Sequence, residues 1–554
     1  MADLQYTPVT LWQDFDKTDV ETEINVIRVK NGGRLAEKSL YFWGSAKGPG
    51  FFAKASDRPA QTRVYAEYCR PLKKAPDKSL PGIILVSEPG DRNDYGLMKR
   101  LAKEGYAVLW PDLDGAGDAE KLTSTKYSPE ASFACYTAAS AYGFAFNDPK
   151  QSCWYEWAAV TMRAVTVLSA FPEINPLKIG VVAIGKACDI AGMAGYKDER
   201  INRMCLVLGE PSGFAYQDEY MQKQYVASLS FRAYAQHIKC ALLYMGATNE
   251  SRYDIAEAGE ILCRIPPQTG SSLSLSERLD HEIGFAQNGN FETWFDEMKR
   301  GMPPPARPTA SFRVSEDKLY CTLNVFPTDP VASVRAFISR GDGPMRLRNW
   351  QDIAMQSAGA GEYVAQVTLY EGVGISAFVN VTYSDGLTLS TRIISKNPAD
   401  IKLPMLKPDN RRLIYSAENG TGSFTTIFNE MIFHDKPNVV MREGPLGLKG
   451  VGNNMGCLAS YILGDALRRG CGDETLLLDI AAEKDERIMI VIRDIDGNEY
   501  FTEIDIAAGL WQKTALEAKR FKSQTGMPFS RFDKAELFYF KAQNHILVSN
   551  VLWT

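Results

Sequence analysis

Five short runs constrain this chain more than any other feature: Gly82-Ile-Ile-Leu-Val-Ser87, Tyr106-Ala-Val-Leu-Trp110, Ile179-Gly-Val-Val-Ala-Ile184, Met204-Cys-Leu-Val-Leu208 and Cys240-Ala-Leu-Leu-Tyr-Met245. Each is almost continuously apolar, so neither face of the strand it forms can lie against water. A mostly parallel sheet with helices on both faces meets that demand. The alternating stretch Thr62 to Arg70 reads as a half-exposed edge hairpin before them. Between the runs lie helical patterns. Leu97, Met98, Leu101 and Ala102 share one face, with Asp94 as N-cap and Gly105 as stop. Trp157 to Phe171 predicts a longer helix leading to the 179–184 strand. Phe291, Trp294, Phe295 and Met298 keep the i, i+3, i+4, i+7 spacing of a closing helix.

The pattern changes at Gly301-Met-Pro-Pro-Pro-Ala-Arg-Pro308, a stiff extended linker. Beyond it the apolar period is two. Strands are predicted at 319–325, 334–338, 363–369 and 375–383, with a turn at Ser384-Asp-Gly386, so 306–396 reads as an immunoglobulin-like sandwich. A second linker, Lys396 to Asp409, carries three prolines. Strands at 475–480, 487–493, 537–540 and 546–553 follow, with Asp496-Gly497 as a hairpin turn, and suggest a jelly roll. The expected domains are therefore 1–303, 304–397 and 398–554. A length of 554 residues suits about three or four domains at roughly 150 each.

Bulk properties exclude several functions. Net charge is −5 and no Lys/Arg stripe occurs, which argues against nucleic acid as a partner. No apolar run approaches the roughly 20 residues that span a bilayer, and Met1 to Pro8 has no leader-like pattern. A cytoplasmic protein without membrane partners is expected. The ten cysteines are scattered, with no Cys-x-x-Cys pair, so buried thiols are expected rather than a metal site. No cofactor is implied.

The strand 179–184 runs into a tight turn and a helix. In Ala183-Ile184-Gly185-Lys186-Ala187 the outer residues are small, as a sharp strand-to-helix turn needs. Together with strand 82–87, strand 106–110 followed by Pro111-Asp-Leu-Asp-Gly115, and Trp154-Tyr-Glu-Trp157 heading a helix, this order resembles the α/β-hydrolase superfamily. It is nearest to the dienelactone-hydrolase-like and acetyl-xylan-esterase-like acyl esterases. The last third resembles carbohydrate-binding modules of galactose-binding-like jelly-roll type, through Gly444 to Gly450, Trp511 with Phe521-Lys522, and Ser549 to Trp553.

The resemblance implies a serine at the turn's apex, then an acid, then a histidine. Gly185 stands at the serine's place, Asn249 at the acid's, and His281 at the histidine's; Glu250 is an alternative acid beside Asn249. The oxyanion loop matches Glu88-Pro89-Gly90. There a carboxylate opposes developing negative charge and proline offers no N–H. Glycine cannot form a covalent acyl intermediate.

Other candidates have blander readings beside the functional ones. Lys186, Glu250 and His281 could line a ligand cleft; equally, Lys186 could be ion-paired and His281 structural. Cys188 could be a displaced nucleophile or a buried helix residue. Glu88, Glu210 and Glu250 could be acid/base partners or surface groups. Trp511, Tyr539 and Trp553 could stack on a sugar or fill a core. Asp494, Asp496 and Asn498 alternate like calcium ligands, but Glu499 stands where an EF-hand needs glycine, which favours a plain turn.

These changes together read as a catalytically inactive pseudo-esterase that binds a ligand or carbohydrate or serves as a scaffold. Two alternatives stay open. One is an active carbohydrate or acyl esterase with an unorthodox nucleophile or activated water. The other is a self-assembling structural protein. The expected partners are a carbohydrate or small acyl ligand, and another protein or a second copy of the chain.

Overall fold

The computed structural model describes residues 6–17, 24–44, 62–89, 95–115, 124–125, 148–211, 213–315, 318–324, 330–359, 361–397, 406–408, 412–428 and 433–554. Gly90, Asp94, Cys135 and Val325 lie outside the described residues. The chain forms two compact units. The first comprises 1–245, 260–272 and 291–305; the second comprises 246–259, 273–290 and 306–554.

The first unit contains strands β1 (Asn25–Gly32), β2 (Leu35–Trp43), β3 (Arg63–Pro71), β4 (Leu80–Val86), β5 (Ala107–Pro111), β6 (Ile174–Ile184), β7 (Ile201–Val207) and β8 (Ala241–Ala247, whose last two residues belong to the second unit). Their order is β1-β2-β3-β5-β4-β6-β7-β8. The pairs from β1 to β5 are antiparallel, and β5-β4-β6-β7-β8 is parallel throughout. Ile83, Val108, Val181, Leu206 and Leu243 are fully buried in these central strands, as their apolar runs demand.

Helices cover this sheet. Cys153–Ser169 starts four residues before the Trp157 expected from sequence, because the Ser152 hydroxyl caps it by accepting the Tyr155 N–H (3.3 Å). Tyr95–Lys103 buries the expected Leu97, Met98, Leu101 and Ala102 and stops before Gly105 at φ +98°. Asn290–Arg300 buries Phe291, Trp294, Phe295 and Met298. Its Trp294 indole donates to the Met204 carbonyl (3.0 Å), and Phe295 lies so close over Gly180 that a Cβ there would collide with the ring. A parallel centre entered through an antiparallel β2–β3 pair, with β4 and β5 exchanged and a strand–turn–helix after β6, is an α/β-hydrolase fold.

The second unit is mostly antiparallel β. One set of strands runs Ser272–Ser276, Thr388–Ser390, Ile375–Tyr383, Val331–Arg340, Gln351–Ala354, with Ile394–Lys396 also on Ile375–Tyr383. A second sheet pairs Thr309–Ser315, Lys318–Asn324, Glu362–Val367 and Gln356–Gly359. Phe337 stacks on Phe378 (4.9 Å) with Trp350 edge-on to it (5.1 Å). Two further sheets, of six and five strands, form the C-terminal sandwich around Ile480, Ile490, Phe538 and Val548. The Asp496-Gly497 turn joins strands Glu486–Asp494 and Glu499–Ile506, as expected.

Candidate functional site

The turn after β6 is built as a nucleophile elbow. Gly185 sits at φ +58°, a left-handed conformation that glycine adopts without steric cost. Its N–H donates to the Val207 carbonyl of β7 (2.8 Å), and its carbonyl accepts the Cys188 N–H (3.1 Å) as helix Ala187–Lys197 begins. A Cβ on Gly185 would land on the carboxylate of Glu88. Glu88, just past β4, thus fills the space into which a serine side chain would project. Its Oε1 accepts from Lys186 Nζ (2.9 Å), with both side chains only 20–24% exposed. Lys186 is therefore ion-paired, which is the blander of its two readings.

Cys188 is not a displaced nucleophile. It is buried, its Sγ faces the carbonyls of Ala183 (3.5 Å) and Val207 (3.7 Å), and burial pushes its thiol well above the ordinary range. A thiol held protonated is a poor nucleophile. Beside it, Asp189 is buried and accepts from the Tyr225 hydroxyl and the Phe231 N–H. Burial pushes this carboxyl up to about 7, and the two donors only partly offset that.

In the second unit the loops after β8 and after Ser272–Ser276 bring an acid and a histidine together. The Thr248 and Asn249 N–H groups donate to the carbonyls of Ser276 (2.9 Å) and Leu279 (3.0 Å). This tether decides which side chain faces which way. Asn249 Nδ2 donates to the carbonyls of Arg346 (3.1 Å) and Arg348 (2.8 Å), while its Oδ1 accepts from Thr248 (2.9 Å). Asn249, expected at the acid's place, instead holds the 346–348 turn. The carboxylate that meets the histidine is one residue later: buried Glu250 contacts His281 Nδ1 through Oε2 (2.7 Å) and takes the Arg252 N–H on Oε1 (3.0 Å).

His281 occupies φ +48°, a left-handed conformation costly for a residue with a Cβ. A second pair, Glu282 Oε2 with His434 Nε2 (2.7 Å), lies next along the chain and is buried. Sequence reasoning found no pattern around His434, because its partner lies 152 residues away.

Of the expected cleft residues, Glu250 joins His281, while Lys186 joins Glu88. Of the three aromatics, two are corrected. Tyr539 is 4% exposed and donates to Glu499 (3.0 Å); Trp553 is 4% exposed and donates to the Arg468 carbonyl (2.8 Å). Both rings fill cores and offer no face to a sugar. Trp511 is half-buried, its indole N–H on the Pro445 carbonyl (2.9 Å) and its ring against Gly444 and Gly450. Asp494 accepts the N–H groups of Asp496 (3.0 Å) and Asn498 (2.8 Å), so it closes the hairpin turn. Among the described residues, no group of three or more His, Cys, Asp or Glu could hold a metal ion.

Strand order and the turn after β6 thus define a unit of α/β-hydrolase fold, followed by β-sandwich structure. No protein-family model matches the sequence. No curated protein matches it either. Solved structures similar to the chain include an acetyl xylan esterase from a Paenibacillus species (13% identity, 50% of this chain and 88% of that one, TM-score 0.38). Acetyl xylan esterase 1 from Thermoanaerobacterium is also 13% identical, over 51% of this chain and 88% of that one, at TM-score 0.36. A glucuronoyl esterase from Solibacter usitatus is 12% identical over 53% and 90%, at TM-score 0.34. No described helix is long and apolar enough to cross a membrane.

Proposed function

We propose that this protein is a catalytically inactive pseudo-esterase acting in ligand or carbohydrate binding or as a scaffold. One observation carries this reading. The apex of the elbow is Gly185, and the space of the absent hydroxyl holds the Glu88 carboxylate, ion-paired to Lys186. Acyl transfer needs a nucleophile there and hydrogen-bond donors for the oxyanion. A carboxylate does the opposite of the latter, and Pro89 removes one donor.

The test is hydrolysis of p-nitrophenyl acetate by the full chain. The rate should equal that of buffer and should be unchanged by Glu250→Gln. Turnover that His281→Ala abolishes would overturn the proposal.

The Glu250–His281 contact favours a second reading. An acid–histidine pair can activate water, which would make the chain an esterase with an unorthodox mechanism. Solvent-isotope dependence of any turnover, lost together with His281, would select it.

A further inference from the structure

The second unit contains a cavity of about 240 Å³ to which no role has yet been given. It is smaller than the roughly 300 Å³ at which drug-sized sites begin, so it suits a single small ring. Its wall is assembled from separate stretches of chain: Asp280 after the Ser272–Ser276 strand, Arg346, Tyr461, and Arg493 with Glu499 from the β-hairpin.

Two of these groups point to a ligand. Tyr461 is 5% exposed and lines the cavity, and its hydroxyl, engaged by none of the hydrogen bonds among the described residues, is open to solvent there. A ligand that displaces the water there finds a group able both to donate and to accept. Arg346 uses its backbone carbonyl to receive Asn249, and its exposed side chain, at the edge of the cavity, meets no carboxylate among the described residues. Its turn is nevertheless fixed, since Asn249 grips the carbonyls of both Arg346 and Arg348. The unpaired cation therefore stands on a held backbone.

The remaining wall sets the ligand's charge. Arg493 is already committed to Glu499 (2.7 Å), which also takes the Tyr539 hydroxyl. Asp280 accepts the Ser251 N–H (2.8 Å), and Asp494 also lines the cavity. An anion entering would meet three carboxylates, and a cation would meet two guanidiniums. A neutral ring bearing several hydroxyls satisfies both signs, because each hydroxyl accepts from one group and donates to another. Leu347 and Ile495 supply apolar surface for its C–H face.

We propose that this cavity binds one uncharged, hydroxyl-rich ring, a monosaccharide unit or cyclic polyol, through Arg346, Tyr461 and Asp280. The site gives the proposed binding role its ligand class and rests on that reading only in expecting no turnover of what is bound.

The test is saturation-transfer NMR and calorimetry on the full chain with methyl β-D-xylopyranoside, methyl β-D-glucopyranoside and myo-inositol. Acetate and glycine serve as charged probes. At least one neutral probe should bind. Tyr461→Phe, which keeps the buried ring, should weaken it about fivefold to tenfold, the worth of one hydrogen bond. Arg346→Ala should weaken it at least as much, and Trp511→Ala should leave it unchanged. Absence of transfer to every neutral probe overturns the proposal. So does preference for acetate or glycine, binding indifferent to both cavity variants, or binding lost in Trp511→Ala. Ester hydrolysis measured in parallel separates the two claims: turnover with intact sugar binding sinks the inactive reading alone, and no binding with no turnover sinks this one alone.

Discussion

The elbow of the first unit and the acid–histidine pair of the second depart in opposite ways from what the family resemblance implies. At the elbow the turn backbone is present without a reactive side chain: Gly185 holds φ +58°, and the Glu88 carboxylate lies where a Cβ on it would project. In the pair a side-chain contact is present, at 2.7 Å, and the residue that meets His281 is Glu250 and not Asn249. The difference teaches that separate constraints maintain the two. A tight strand-to-helix turn persists because β6 and its helix must still pack, whatever sits at the apex. A buried carboxylate persists only with partners, because burying it alone is costly.

The sharpest attack on this contrast is Asn249→Asp, which restores the acid that the resemblance implies. The new carboxylate would face the carbonyls of Arg346 and Arg348, now without a donor. A loss of about 3–5 kcal/mol is expected, as for an uncompensated buried charge, read from the urea midpoint. A variant as stable as the natural chain would return Asn249 to the acid's place.

Next in size is Asp189→Asn, beneath the elbow. The folded carboxyl is pushed up to about 7 from an ordinary 3.8, so the folded state holds a proton that the unfolded chain releases. Stability from this group is therefore full below about pH 4 and declines as pH rises to about 7. At about 1.4 kcal/mol per unit, the decline is on the order of 4 kcal/mol. The amide should flatten it, giving a gain at pH 8 that vanishes near pH 4; a pH-independent effect would count against a raised carboxyl.

A double-mutant cycle on Glu250→Ala and His281→Ala should give a coupling of about 2 kcal/mol, the scale of a hydrogen bond to a charged group. Additive single losses would mean that the contact contributes nothing. The smallest effect is expected at the apex itself. Gly185→Ala should cost about 1–2 kcal/mol for the left-handed backbone, and Glu88→Ala should return only the share due to displacing that carboxylate. Equal costs in both backgrounds would show that Glu88 does not fill the site.

The hydrolase unit was legible because its evidence is local: five apolar runs and one small-residue turn suffice. The sandwich strands were legible through their period of two. What escaped depends on tertiary partners. Asn249 and Glu250 are adjacent after β8, and only the tether of Asn249 N–H to Leu279 shows which one meets His281. The start of the Cys153–Ser169 helix was missed because Ser152 is an ordinary residue until its hydroxyl caps Tyr155. Tyr539 and Trp553 were ambiguous because an aromatic in a strand looks the same whether its ring faces a core or a sugar. The cavity around Tyr461 and Arg346 was invisible, since its wall draws on stretches far apart in sequence.

The second unit takes residues 273–290 from upstream of the Pro-rich linker, and Leu275 donates its N–H to the Ser390 hydroxyl 115 residues later. At roughly 5–20 residues per second, a ribosome needs on the order of ten seconds to deliver that partner. During this interval the apolar Leu273 and Leu275 are already outside the ribosome while the strand that receives them is not. Biosynthesis therefore imposes a waiting period on this chain, and a message cut short after the linker yields a product in which the Ser272–Ser276 strand has one open edge, an aggregation hazard.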